Sequence, residues 1–283
     1  MECQTITLPH GLWVADACLR DATVRPVAAD DALWLQELGP RVSPAYRVHR
    51  LLARCTLRLG TLAPVDTEAV RDLAAGDREA LLLALRRATF GDALQARAPC
   101  PACGQMLELD LRTSDLQLPP YPDSAPWYDL PPPEPGPVSR FRLPTGRDLE
   151  AAAHLAEADA DAAAGLLLHR CLAPDPGIST VPSVLSRDTQ ARIATRMAEL
   201  DPQAELILRT TCPACGDAVG TLFDAASFLL AEVDRLAGGL LDEVHILARH
   251  YHWAERDILG LCPARRQAYL RRLCGESALP EIR

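Results

Sequence analysis

Residues 100–104 read Cys100-Pro101-Ala102-Cys103-Gly104, and the same five letters return as Cys212-Pro213-Ala214-Cys215-Gly216. Two cysteines spaced in this way on a tight turn place both sulfurs within reach of one ion. The glycine after the second lets the backbone curl its amides toward the thiolates. Around each turn the hydropathy alternates. Leu107, Leu109 and Leu111 are separated by Glu108 and Asp110, and the second turn is framed by Leu206, Leu208, Val219, Thr221 and Phe223. That period of two is the signature of half-buried strands, so each turn is expected at the tip of a β-hairpin.

Working outward, more of the chain repeats. Leu8-Pro9-His10-Gly11 is echoed by Leu143-Pro144-Thr145-Gly146, and Leu51-Leu52-Ala53-Arg54-Cys55 by Leu167-Leu168-His169-Arg170-Cys171. Between the second landmark and the hairpins the apolar positions keep a constant offset: Leu73 with Leu185, Leu81 with Ile193, Leu85 with Met197, Leu94 with Leu206. The spacing predicts amphipathic helices over 75–89 and 187–200, with Asp77 and Asp188 as N-terminal caps, and earlier helices over 30–38 and 148–156. The first copy carries an extra stretch, residues 12–26, whose weak alternation suits a short hairpin.

Between the copies, residues 119–137 hold nine prolines, which neither a helix nor a central strand accommodates. This is an extended connector, and Trp127 and Tyr128 mark where it should dock on a neighbouring surface. Residues 224–283 read as four short helices, interrupted at Gly238-Gly239. The reading is therefore an α+β protein with an internally duplicated helical and β-hairpin module and zinc-ribbon-like CPAC turns. Its segments are residues 1–118 (first repeat), 119–138 (connector), 139–223 (second repeat) and 224–283 (helical tail).

Composition narrows the function classes. The 283 residues carry a net charge of -9, and all 29 basic residues are arginine. That balance disfavours general nucleic-acid binding, which needs a positive face against phosphates. The N-terminus shows no secretory leader and no apolar run reaches a membrane span, so the expected setting is cytoplasmic, with no membrane partner. There the ten cysteines are expected to be thiols or metal ligands rather than disulfides.

Zinc takes four such sulfurs in a tetrahedron. One ion shared by Cys100, Cys103, Cys212 and Cys215 needs no further donor. Two separate ions would need four more, and the chain offers no extra cysteine or histidine at equivalent places beside the turns. Cys55 and Cys171 end apolar helices and read as small buried residues. Empty turns, or a thioredoxin-like redox pair, are the competing readings, but redox CxxC opens a helix whereas these join strands. His245, His250 and His252 with Cys262 are a second conceivable metal cluster, but His250-Tyr251-His252-Trp253 falls at a helix end, where histidine caps carbonyls and aromatics close a core. Arg265-Arg266 and Arg271-Arg272 read as a solvated stripe or one facing an acidic partner. No phosphate loop, serine elbow or HExxH motif is present, so neither an enzyme nor a small-molecule substrate is expected.

The run Gly76-Asp77-Arg78-Glu79-Ala80-Leu81-Leu82-Leu83, followed by Thr89-Phe90-Gly91, CPACG and an alternating strand, resembles a baseplate protein family of contractile-tailed bacteriophages and phage-like extracellular contractile injection systems. Leu143 to Leu149 looks like the same group. The segment His250 to Leu259, with Arg265-Arg266 and Tyr269-Leu270, is similar to a helical module of tail assembly proteins. The second half lacks the Gly-Asp-Arg and Phe-Gly elements. The resemblance implies a non-catalytic baseplate component or assembly factor that contacts other baseplate, spike or tube subunits within a phage-like particle. The alternative is a zinc-ribbon adaptor for nucleic acid or a transcription complex, which requires a basic face around the turns.

Overall fold

A computed structural model describes residues 2–39, 42–130, 140–156, 158–173 and 185–273. The connector's prolines from Pro131 onward, Glu157 and Cys274 lie outside these residues. In chain order the elements are β1 (Gln4–Val14), β2 (Ala17–Val24), α1 (Ala29–Glu37), α2 (Pro44–Cys55), β3 (Thr56–Leu59), α3 (Thr67–Arg71), α4 (Ala75–Phe90), β4 (Ala93–Pro99) and β5 (Met106–Arg112). The second half supplies β6 (Tyr128–Asp129), β7 (Arg140–Phe141), α5 (Gly146–Ala156), α6 (Ala160–Arg170), β8 (Leu172–Ala173), α7 (Arg187–Leu200), β9 (Leu206–Thr211) and β10 (Ala218–Phe223). The tail is α8 (Ala225–Tyr251), α9 (Glu255–Leu259) and α10 (Pro263–Leu273). The architecture is α+β, with small antiparallel sheets among helices.

The larger compact unit comprises Met1–Val27 and Pro40–Leu229. Its centre is α4, where every residue from Ala80 to Leu85 is buried. A helix apolar on all sides is stable only when surrounded. A second core gathers Phe141, Leu143, Cys171, Ile193, Met197 and Leu200, with Tyr128 packed against it. The two sheets of the repeat pattern each occur twice: the hairpin β4-β5 returns as β9-β10, and the meander β1-β2-β3 in miniature as β6-β7-β8. The first strand of that small sheet comes from the connector, because Tyr128 pairs with Phe141 in register and stacks near its ring. Trp127 lies beside the Arg140 guanidinium. The connector docks at Trp127 and Tyr128, as their size led us to expect.

One landmark of the duplication is corrected. Arg25 N–H donates to the Cys55 carbonyl at 2.9 Å, and Arg142 N–H to the Cys171 carbonyl at 2.8 Å. The same two guanidiniums reach the carbonyls of Arg54 and Arg170, both at 3.0 Å. Ala28 N–H donates to Asp31 and Thr145 N–H to Asp148, each three residues on. Leu143-Pro144-Thr145-Gly146 is thus the equivalent of Pro26-Val27-Ala28-Ala29. Leu8 to Gly11 instead lies within β1, at a register shift where Gly11 has a φ of 81°. Strand hydrogen bonds define the equivalence, and a four-letter match of turn-forming residues does not.

The expected caps are also different. Ser186 caps α7 by accepting from Thr189 N–H, so Asp188 is not the cap. Asp77 is fully buried and accepts from the N–H groups of His10 and Gly11 at 2.7 and 2.9 Å, tying the β1 bulge to the start of α4. Asp201, at the end of α7, accepts from Gly76 N–H at 2.8 Å. A Cβ on Gly76 would sit 1.8 Å from the Asp201 carboxylate, so only glycine allows this approach. Gly76 and Asp77 therefore join α4 to β1 and to the end of α7, whereas α7 opens on its own Ser186 cap.

The smaller unit comprises Ala28–Gly39 and Leu230–Arg283. Here α8 runs unbroken through Gly238-Gly239, against the expected break. A glycine inside a helix costs about 1 kcal/mol relative to alanine. The buried stripe of Val233, Ala237, Leu240 and Leu247 continues across the pair and outweighs that cost. The helix ends where His252 adopts a φ of 55° and its N–H meets the Ala248 carbonyl. Tyr251, Trp253 and Tyr269 cluster there. Arg266, expected in a solvated stripe, is buried and donates to Glu243 and the Leu261 carbonyl, both at 2.7 Å.

Two outcomes follow from these contacts. Burial by itself would raise the Asp148 pKa. The paired Arg142 hydrogen bonds, helped by Thr145, override it and hold the carboxyl down to about 2. A depressed folded pKa stabilises above the unfolded value, near 4, and that stability drains as pH falls toward 2. Its size is about 2 kcal/mol. In denaturant titrations Asp148→Asn should be less stable at pH 7 and should lack this part of the acid dependence. Gly76→Ala should cost about 3 kcal/mol, because it expels a buried carboxylate from its amide. A midpoint equal to the parent's would refute that account.

Candidate metal centre

The β4–β5 and β9–β10 hairpins are superposable in their pairings. Pro99 opposes Met106 in the first and Thr211 opposes Ala218 in the second, so each closes a six-residue turn. Within each turn the cysteine opening it makes the same two bonds. Cys100 N–H meets the Gln105 carbonyl and Gly104 N–H the Cys100 carbonyl; Cys212 and Asp217, Gly216 and Cys212 repeat them at 2.8–2.9 Å throughout. Gly104 and Gly216 have φ of 75° and 79°, a conformation that favours glycine. The motif is CPACG because the turn needs that last residue.

The tertiary structure brings the tips together. Cys100 Sγ lies 3.7 Å from Cys215 Sγ, and Cys103 Sγ 3.7 Å from Cys212 Sγ. All four sulfurs lie within 4.8 Å of one another. The crossed pairing, first cysteine of one turn to second of the other, is what a local twofold relation produces. These separations are far beyond the ~2.05 Å of a disulfide. They suit a tetrahedron: four sulfurs at about 2.3 Å from a central ion have edges of about 3.8 Å. Among the described residues this is the one such cluster, and His245, His250, His252 and Cys262 form none.

Electrostatics suit a cation too. The amides of Cys215 and Ala214 point to the Cys212 sulfur and hold that thiol down to about 7. Cys215 has the Asp217 amide in its favour, but crowding by the other three sulfurs pushes it up to about 12. Four sulfurs this close repel one another as thiolates, a cost that a divalent cation among them would remove.

Little else holds the tips. The core beneath them consists of Cys100, Leu107, Cys212 and Val219, with Leu109 at its margin. An isolated two-stranded hairpin is marginal in water. Cys103 and Cys215 are exposed, whereas Cys100 and Cys212 are buried. Cys55 and Cys171 are buried apart from the cluster, and burial pushes the Cys171 thiol up to about 12, so it remains a neutral packing group.

Sequence reasoning missed a second polar assembly. His10 Nε2 stands 3.5 Å from Asp201, His10 Nδ1 3.3 Å from the Tyr128 hydroxyl, and Asp77 is alongside. Burial pushes Asp77 up to about 7. No spacing rule links residues so far apart; the isolated Gly-Asp-Arg run was the available signal. Beside it is a cleft of about 500 Å3 that includes His10, Trp13, Asp66, Asp72 and Arg142. Asp72 is engaged with Arg147 and Asp66 caps α3, so the acids there have structural partners.

Residues 48–171 match the family model described as T4 bacteriophage base plate protein. The match runs from α2 to the Arg170-Cys171 end of α6 and takes in the first CPAC turn but not the second. It supports a phage baseplate protein family for that region. No curated protein and no solved structure matches the chain.

Metal analysis checks the geometry directly. A shared ion requires one metal per chain, with the whole content lost from either Cys100→Ser/Cys103→Ser or Cys212→Ser/Cys215→Ser. Half loss from each would mean two sites. Chelation should lower the thermal midpoint, and an unchanged midpoint would show that the sulfurs cluster without a structural ion.

Proposed function

We propose that this protein is a non-catalytic structural or assembly component of a phage-tail or contractile-injection baseplate. In this reading Cys100, Cys103, Cys212 and Cys215 hold one zinc ion, and other baseplate, spike or tube subunits dock on the scaffold. The repeats over 1–118 and 139–223, the strap over 119–138 and the tail over 224–283 are its working parts. The observation that carries the reading is the baseplate match over residues 48–171. The sulfur geometry supports it physically: a closed four-thiolate ion stiffens a joint between two halves and leaves no open coordination position for chemistry.

The adaptor alternative finds less support. Around the first turn the charges are matched, Arg97 with Glu108 and Arg112 with Asp92, which leaves these arginines less available to phosphates.

Deleting the gene from a host that builds such particles is the test. Electron micrographs should show tails or sheaths without complete baseplates. The parent gene should restore them, and the Cys100→Ser/Cys103→Ser form should not. Normal contractile particles in the deletion strain would overturn the proposal, and purified protein rich in another metal would overturn the zinc assignment.

A further inference from the structure

The two hairpins share one fold and one register, so each serves as a control for the other. On the solvent face of β4–β5, Gln95 donates to Asp110 across the strands at 3.1 Å, and Arg97 to Glu108 at 2.8 Å. These are solvated polar pairs. At the same register of the second hairpin the first pair becomes Ile207 opposite Leu222, and the second becomes Arg209 opposite Gly220. Ile207 is 48% exposed and Leu222 60%.

Single exposed aliphatics are ordinary, but three changes coincide here. An adjacent apolar pair replaces a hydrogen-bonded one. Arg209, exposed, has lost the carboxylate that Arg97 keeps and has no ion pair among the described residues. The residue that would carry that carboxylate is glycine, which leaves the surface flat; a Cβ there would meet only ordinary contact with Ile207. Folding does not require these residues, because the first hairpin folds with polar ones at the same places.

We propose that the outer face of β9–β10 is a docking surface for a different subunit of the same particle. That partner lays an aliphatic side chain on Ile207 and Leu222 and sets a carboxylate against Arg209, where Glu108 stands in the first hairpin. A second copy of this chain is the poorer occupant. A twofold contact through this patch would bring two Arg209 guanidiniums onto one small apolar area. That the partner belongs to the particle rests on the function proposed above; the surface itself does not.

A photo-crosslinking amino acid placed at position 207 or 222, and for comparison at 95 or 110, tests it in cells assembling the particle. The expected result is a link to one heterologous protein from 207 and 222 and none from 95 or 110. The partner, identified by mass spectrometry and purified, should bind Ile207→Gln/Leu222→Asp at least about tenfold more weakly than the parent. That variant rebuilds the first hairpin's own polar pair, so its metal content and thermal midpoint should stay near the parent's. Links only to a second copy, equal links from 95 and 110, or undiminished binding would overturn the surface. If the linked partner lies outside any particle, the surface stands and the baseplate reading falls. If the chain sits in the particle without such a link, the reverse holds.

Discussion

Two hairpins too small to stabilise themselves meet tip to tip, and among the described residues their shared interior is a handful of side chains around four sulfurs. A two-stranded sheet gains little from burial when half of each strand faces water, as the alternating exposure of β5 and β9 shows. An ion held by all four thiols, as proposed above, would close a loop of more than a hundred residues between Cys103 and Cys212. A crosslink of that span restrains the unfolded chain strongly while adding almost no volume to the fold. A helix-rich body with small sheets can therefore be joined at its weakest point without a larger core.

The other joint is polar and deep. Gly76 and Asp77 stand at the start of α4, the most enclosed helix, and receive Asp201 from one side and the β1 bulge from the other. Buried carboxylates are costly unless amides answer them, and here three backbone N–H groups do. The arrangement makes the helix entry unforgiving: glycine is needed for approach and aspartate for reach. Geometry alone accounts for glycine and aspartate at these two places.

Duplication gives the molecule an internal comparison. The Arg142–Asp148–Arg170 group around Cys171 and the Arg25–Cys55 contact show the same frame twice. Where the copies match, the fold demands the residues. Where they diverge, as at Gln95–Asp110 against Ile207–Leu222, the same register accepts either kind of pair.

Much was legible in the linear chain because it is local. The CPACG turns, the alternating strands beside them and the bounds of α4 and α7 follow from turn chemistry and periodicity within a dozen residues. The α+β class follows from those same patterns. What needed the folded protein was every interaction across long separations: the sulfurs of Cys100 and Cys215 meeting, Asp77 serving β1 instead of its own helix, the strand register that reassigned Leu143 to Gly146. It also decided that α8 continues through Gly238-Gly239, since a glycine pair lowers helix propensity but cannot report the buried stripe that outweighs it. Propensity is a property of neighbours in sequence, whereas pairing and burial belong to neighbours in space, and only the second kind selects among the arrangements the first permits.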